Sequence, residues 1–179
     1  NGDTIADVLW RNTSTGANTI WQGGDAMQSQ AVMAVSDTHW KVAAIGDFNG
    51  DTVADILWRN DASGANAIWQ SANSAQGQNI DAISDLNWNV AAVADYNADG
   101  STDILWRNTS TGANIIWQSA NSHTAQAVSA VGDPNWSLPG QTNTWSEVSA
   151  PPAPVSQPSA FDLNGDGKSD LVWRNTSSG

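Results

Sequence analysis

Cysteine is absent from all 179 residues, so disulfide frameworks, thiol catalysis and thiolate metal sites are excluded. Basic residues are scarce: six Lys and Arg stand against 18 Asp and Glu, for a net charge of -12. Six cations cannot neutralise a run of phosphates, which argues against a nucleic-acid partner. No apolar run approaches the ~20 residues that a membrane span needs, and no signal peptide is recognisable. The chain opens at Asn1 in the middle of a loop motif, which is expected of a processed product or part of something longer. Histidine is limited to His39 and His123, neither at a repeated position, and no nucleophile elbow is present. An enzyme is therefore not expected. Glutamate occurs once, as Glu147, so almost all of the acid is Asp.

What the chain does have is Asp in loops and eleven Trp at even spacing. The stretch Asp47-Phe48-Asn49-Gly50-Asp51-Thr52-Val53-Ala54-Asp55 carries oxygen side chains at positions 1, 3, 5 and 9. Alternate oxygens around a tight turn are how a chain wraps a hard cation such as calcium. The pattern returns as Asp95, Asn97, Asp99 and Asp103, and again as Asp162, Asn164, Asp166 and Asp170. Asn1, Asp3 and Asp7 fill positions 3, 5 and 9 of a truncated copy. Three to four Ca2+ sites are expected. The competing reading is a set of Asx-rich turns without metal, which leaves carboxylates gathered against their mutual repulsion. These are not EF-hands, because the position-12 Glu of that motif is replaced by Trp58, Trp106 and Trp173.

The chain repeats itself. Trp10, Trp58 and Trp106 recur every 48 residues; Trp21, Trp69 and Trp117 keep the same step, as do Trp40, Trp88 and Trp136. Each unit reads as four short strands, illustrated by 41–48, 55–60, 65–70 and 78–85, joined by the cation loop, a Gly turn and a polar loop. No sustained 3.6-residue apolar period is present, so helix is expected to be near zero. The fold class expected is all-β: tandem four-stranded antiparallel blades of 48 residues, β-propeller-like, as a partial propeller or one completed by other chains. Three repeats are expected over 1–136, at about 1–46, 47–94 and 95–136, followed by a Pro-rich linker or excursion at 137–160 and a partial fourth repeat at 161–179. That last hairpin is free, on the sequence, to belong to a separate blade or to pack at a distance.

The motif Asp-Phe-Asn-Gly-Asp leading into Asp-Ile-Leu-Trp-Arg-Asn, with 162–170 as the nearest match, resembles the FG-GAP/VCBS-type repeat of integrin-like β-propellers and secreted bacterial proteins. The resemblance covers nearly everything except 137–160. It implies an extracellular calcium-binding propeller repeat, with the loop oxygens as ligands and the position-7 carbonyls of Ile5, Val53, Ser101 and Lys168 completing each shell. Thr4 and Thr52 replace Gly at position 6, and Ala98 replaces it at position 4, which is expected to strain those loops.

Other repeated residues have two readings each. The Trp side chains fill space between blades, or the loop-flanking Trp40, Trp88 and Trp136 stack on sugars. Arg11, Arg59, Arg107 and Arg174 pair with an Asp or stack on an indole, or Arg59 and Arg107 clamp a ligand. Asn12, Asn108 and Asn175 begin Asn-Thr-Ser sequons. Two functions are in view. One is a secreted, calcium-binding, non-catalytic module for glycan or matrix binding or adhesion, accessory to a larger protein. The other is a calcium-stabilised subunit that assembles with copies of itself into a multichain propeller or a head-to-tail filament.

Overall fold

The structure, a computed structural model, describes residues 1–133, 135–138 and 174–175. The partial fourth cation loop (Asp162, Asn164, Asp166, Lys168 and Asp170) and residues 139–160 lie outside the described residues.

Short β-prone runs bounded by Gly, Asn and Asp fold as antiparallel sheets ordered by chain sequence. The first blade has β1 (Val8–Arg11), β2 (Asn18–Trp21) and β3 (Ser29–Val32). The second has β4 (Trp40–Gly46), β5 (Asp55–Asn60), β6 (Asn66–Trp69) and β7 (Gly77–Ile80). The third repeats it as β8 (Trp88–Ala94), β9 (Asp103–Asn108), β10 (Asn114–Trp117) and β11 (Ala125–Val128). No closed barrel forms among the described residues. Sheet boundaries fall between Ile80 and Trp88 rather than at the Asp-rich loops, so the loop joins the first two strands inside a blade.

A fourth sheet pairs β12 (Trp136–Ser137) with β13 (Arg174–Asn175). Trp136 faces Asn175 just as Trp40 faces Asn60 and Trp88 faces Asn108. Trp136 thus opens a fourth unit, and the Pro-rich segment intervenes between the first two strands of that unit.

Two features of the blades go beyond the sequence pattern. The polar loop after the third strand contains paired 3-10 turns, Gln70–Ala72 and Ser74–Gln76 in the second blade, with Asn73 capping the latter through the Ala75 N–H. The fourth strand is also shorter than expected, ending at Ile80 rather than continuing to 85. There Asn66 Nδ2 donates to the Asp81 carbonyl at 2.7 Å and Ile83 N donates to the Gly64 carbonyl at 2.9 Å. These bonds draw the chain off the sheet and over the turn.

Period-2 alternation decides which neighbour each residue meets. Ile56 and Trp58 pack toward the first blade, in one core with Val32, Leu9 and Ile20. Leu57, between them, packs toward the third blade, in a core with Ile104 and Trp106. Leu105 in turn enters a core with Ile116 and Leu138. Trp58 and Trp106 are almost wholly buried, at 1% and 0% exposure. Each packs on the Trp of the next strand at 5.0–5.2 Å between ring centroids, tilted by 57–58°.

Arginine fastens blade to blade. The Arg59 guanidinium lies 5.0 Å from the Trp106 ring centroid, and Arg11 lies 4.9 Å from that of Trp58. Arg59 Nη1 donates to the Gly64 carbonyl and to Asn66 Oδ1; Nη2 donates to the carbonyls of Ile83 and Trp88. Arg11 makes the same four bonds one repeat earlier. Burial lowers the pKa of both guanidinium groups. Gly64 and its mates are required by this arrangement: at φ +74°, a Cβ on Gly64 would lie 2.0 Å from the Ile83 carbonyl oxygen.

Candidate metal centre

In the second and third blades the oxygen-rich loop leaves the first strand and returns as the second, so its fixed points are β-strand ends. In the second blade, Asp55 is the anchor. It is fully buried at the start of β5, where its Oδ2 accepts from Phe48 N at 2.9 Å and its Oδ1 from Ser71 N at 2.8 Å. One carboxylate therefore ties the loop to the 3-10 turn that follows β6. Asp103 does the same with Tyr96 N and Ser119 N, both at 2.8 Å. Burial raises the pKa of both groups, partly offset by the two backbone N–H donors; the charges of Asp51 and Asp47, and of Asp99 and Asp95, add to the rise.

The outer loop is closed by its own oxygens. Asp47 Oδ1 accepts from Gly50 N and Asp51 N, and its Oδ2 from Thr52 N at 2.7 Å. Asn49 Oδ1 accepts from Asp51 N, while its Nδ2 donates to Asp51 Oδ2. Asp51 Oδ1 accepts from Val53 N. Every one of these bonds recurs in the third blade among Asp95, Asn97, Ala98, Asp99, Gly100 and Ser101. The truncated copy keeps the part its residues allow: Asp3 N donates to Asn1 Oδ1, Ile5 N to Asp3 Oδ1, and Gly23 N to Asp7 Oδ1.

The donor set is all oxygen, three carboxylates and one carboxamide per full loop, which suits calcium. The carboxylates are turned onto backbone N–H groups, and among the described residues no three acidic or histidine side chains converge as a metal cluster. Residues 5, 53 and 101 present their N–H groups to the position-5 carboxylates, which fixes the backbone where the resemblance placed carbonyl ligands. The expected strain is present: Thr4 and Thr52 have φ of 69°, and Ala98 has φ of 62°. Loops of neighbouring blades touch, since Thr102 N donates to the Asp47 carbonyl at 2.6 Å.

The other expected site residues divide differently. Arg59 is 8% exposed and its guanidinium is held by the frame described above, which explains its repetition without a ligand. Arg107 makes the homologous bonds to Gly112, Asn114 and Val131. Trp40 and Trp88 are half-buried and pack on the blade cores, and their carbonyls accept from Arg11 and Arg59. Trp136 is half-buried as well.

A cleft of about 350 Å³ between the second and third blades was missed by sequence reasoning. Its lining includes Gln70, Gln78, Asn79, Asp81, Asn121 and His123. Ser122 Oγ donates to Asp81 across it. Asp81 and His123 replace Met33 and Ala75 of the preceding interface, so a departure from the repeat was the signal available.

Among the described residues, no helix is long and apolar enough to cross a membrane. No curated protein and no solved structure matches the chain. A family model described as the FG-GAP-like repeat matches residues 95–173, the span that runs from the Asp-rich loop of the third blade to the Trp at the start of the last Trp-Arg-Asn motif. Residues 95–173 are thus similar to an FG-GAP-like repeat, and the antiparallel sheets of three and four strands are β-propeller-like in form.

Proposed function

We propose that the chain is a secreted, calcium-stiffened, non-catalytic β-propeller-type module that binds glycan or extracellular matrix. The observation that carries the calcium reading is the buried Asp55 and Asp103 pair, each tying an oxygen-rich loop to its blade in an identical bonding pattern. A cation held by Asp47, Asn49, Asp51 and Asp55 would offset the repulsion of the gathered carboxylates and clamp the first two strands together. Extracellular modules bind calcium at about 10⁻⁴–10⁻³ M, so millimolar calcium stabilises by roughly 0.4–1.4 kcal/mol per site. Several sites together are comparable with much of a small domain's stability.

Glycan binding is supported by the cleft. Carboxamides such as Gln70, Gln78, Asn79 and Asn121 both donate and accept, which matches the hydroxyl groups of a sugar. Calorimetry with calcium, and melting curves before and after chelation, test the first part; an unchanged melting temperature on chelation overturns it. A glycan array in millimolar calcium tests the second. Binding that is lost in a Gln78→Ala, Asn79→Ala double variant of unchanged melting temperature supports the cleft, and a blank array overturns the glycan reading.

A further inference from the structure

The repeat breaks its own pattern at the cleft between the second and third blades. Asn79 stands where the other blades have Ala31 and Ala127, Asp81 where they have Met33 and Ser129, and His123 where they have Met27 and Ala75. All three departures line the cleft. Residues 31, 79 and 127 hold one position in their sheets, opposite Thr19, Ala67 and Ile115. Strands β3 and β11 join their sheets in the same register without an amide there, and the chain beyond them runs on without a carboxylate. The scaffold therefore does not call for Asn79, Asp81 or His123, and their gathering on one cavity points to a ligand.

The charge in the cleft has one sign. Its lining includes Asp55 and Asp81 and, among the described residues, no Lys or Arg. Asp55 has both oxygens committed, one to Phe48 N and one to Ser71 N. Asp81 Oδ2 accepts from Ser122 Oγ across the cleft, while its Oδ1 has no protein partner among the described residues. On the same wall as Ser122, His123 Nδ1 lies 3.4 Å from the Ser122 hydroxyl. The cleft thus presents one carboxylate oxygen amid carboxamides that suit hydroxyl groups. A ligand ammonium would gain a charge-assisted hydrogen bond there. A ligand carboxylate or sulfate would meet like charge, on a chain whose net charge is already -12.

We propose that the cleft selects amino sugars, with Asp81 binding the protonated amino group and Gln78 and Asn79 the neighbouring hydroxyls. This rests on the glycan reading of the cleft and names the class of sugar that it takes.

The test is calorimetry of the full chain in millimolar calcium and about 0.15 M salt, which screens the overall charge of the chain. The probes are a glucosamine oligomer, at a pH where its amino groups are protonated, and its N-acetylated counterpart of equal length. The amino form is expected to bind about fivefold tighter or more. Asp81→Asn keeps an acceptor for Ser122 and removes the charge. It is expected to bring the amino oligomer down to the affinity of the N-acetylated one, with the melting temperature unchanged. Asp81→Ser, which installs the side chain of position 129, is a second variant with the same expectation. Equal affinity for the two oligomers, or tighter binding of the N-acetylated one, overturns the amino-sugar inference and leaves the glycan reading standing. So does a preference that survives both substitutions, or a glycan array positive only for sugars without a free amino group. A blank array overturns the glycan reading and this inference together.

Discussion

Arg59 and Trp106 belong to different blades, yet the guanidinium of one stands 5.0 Å from the ring centroid of the other. The arginine also satisfies four acceptors, on the Gly64 turn, on Asn66, on the connecting segment at Ile83 and on Trp88 of the third blade. One side chain thus joins a turn, a strand, a connection and a neighbouring sheet. Its planar fork is needed for this, because an ammonium group cannot reach four acceptors spread around two nitrogens.

Arg59→Lys is therefore not conservative. We expect it to destabilise the fold by about 2 kcal/mol or more, since buried acceptors lose a charged donor and the ring loses its cation. Urea unfolding measures this, and a loss under about 0.5 kcal/mol, the range of ordinary surface substitutions, would contradict the bracing role.

Two glycines with the same sign of φ should respond differently to alanine. At Gly64 the new Cβ meets the Ile83 carbonyl oxygen at 2.0 Å, so the turn and the connection must part. At Gly100, with φ +88°, nothing lies within 4 Å. Gly64→Ala is expected to cost about 3 kcal/mol or more, and Gly100→Ala only about 1 kcal/mol of backbone strain. Equal losses in thermal melts run in chelator would show that the packing argument fails.

Ala98 offers the converse. Its φ of 62° is a conformation an L side chain adopts at a cost, and the equivalent residue in the second blade is Gly50. Ala98→Gly is expected to raise stability by about 1 kcal/mol, read as a higher melting temperature. A lower melting temperature would count against strain at this position.

The connection before the third blade is expected to respond to acid through Asp85. Asp85 accepts from the Asn87 backbone N–H, the Asn87 amide and the Asn108 amide, which together hold its carboxyl below the ordinary value of 3.8. The folded protein thus binds this proton less readily than the unfolded chain. Its contribution is complete above the unfolded value and is lost as pH falls through the folded one. Wild type should melt above Asp85→Asn at neutral pH, with the gap closing in that acid window. A gap that is constant with pH would exclude linkage to this carboxyl.

Much of the fold was legible because each signal is local. Gly64 marks the turn between β5 and β6, the alternate oxygens from Asp47 to Asp55 mark the loop between β4 and β5, and the Trp spacing gives the repeat. Arginine stacking on an indole was also legible, though not its choice of carbonyl oxygens over an Asp. Which blade each residue faces was hidden, because Trp58 and Arg59 are sequence neighbours that point to opposite neighbours in space. The early end of β7 was hidden too, since it depends on Asn66 and Gly64 capturing the backbone 15 to 19 residues later. In the candidate centre, spacing places Asp47 and Asp51 in one loop but does not announce the backbone N–H groups they accept, and the tie from Asp55 to Ser71 joins two separate loops with no pattern to mark it.

The pairing of Trp136 with Asn175 has a last consequence. These partners are about twice as far apart along the chain as Trp40 and Asn60, yet they meet in the same alignment. Doubling such a loop costs only about 0.6 kcal/mol of closure entropy. The junction between the opening strand of a blade and its acidic turn is thus a natural port for foreign sequence, and an epitope or a small domain grafted after Gly46 or Ala94 would ride on an otherwise undisturbed array.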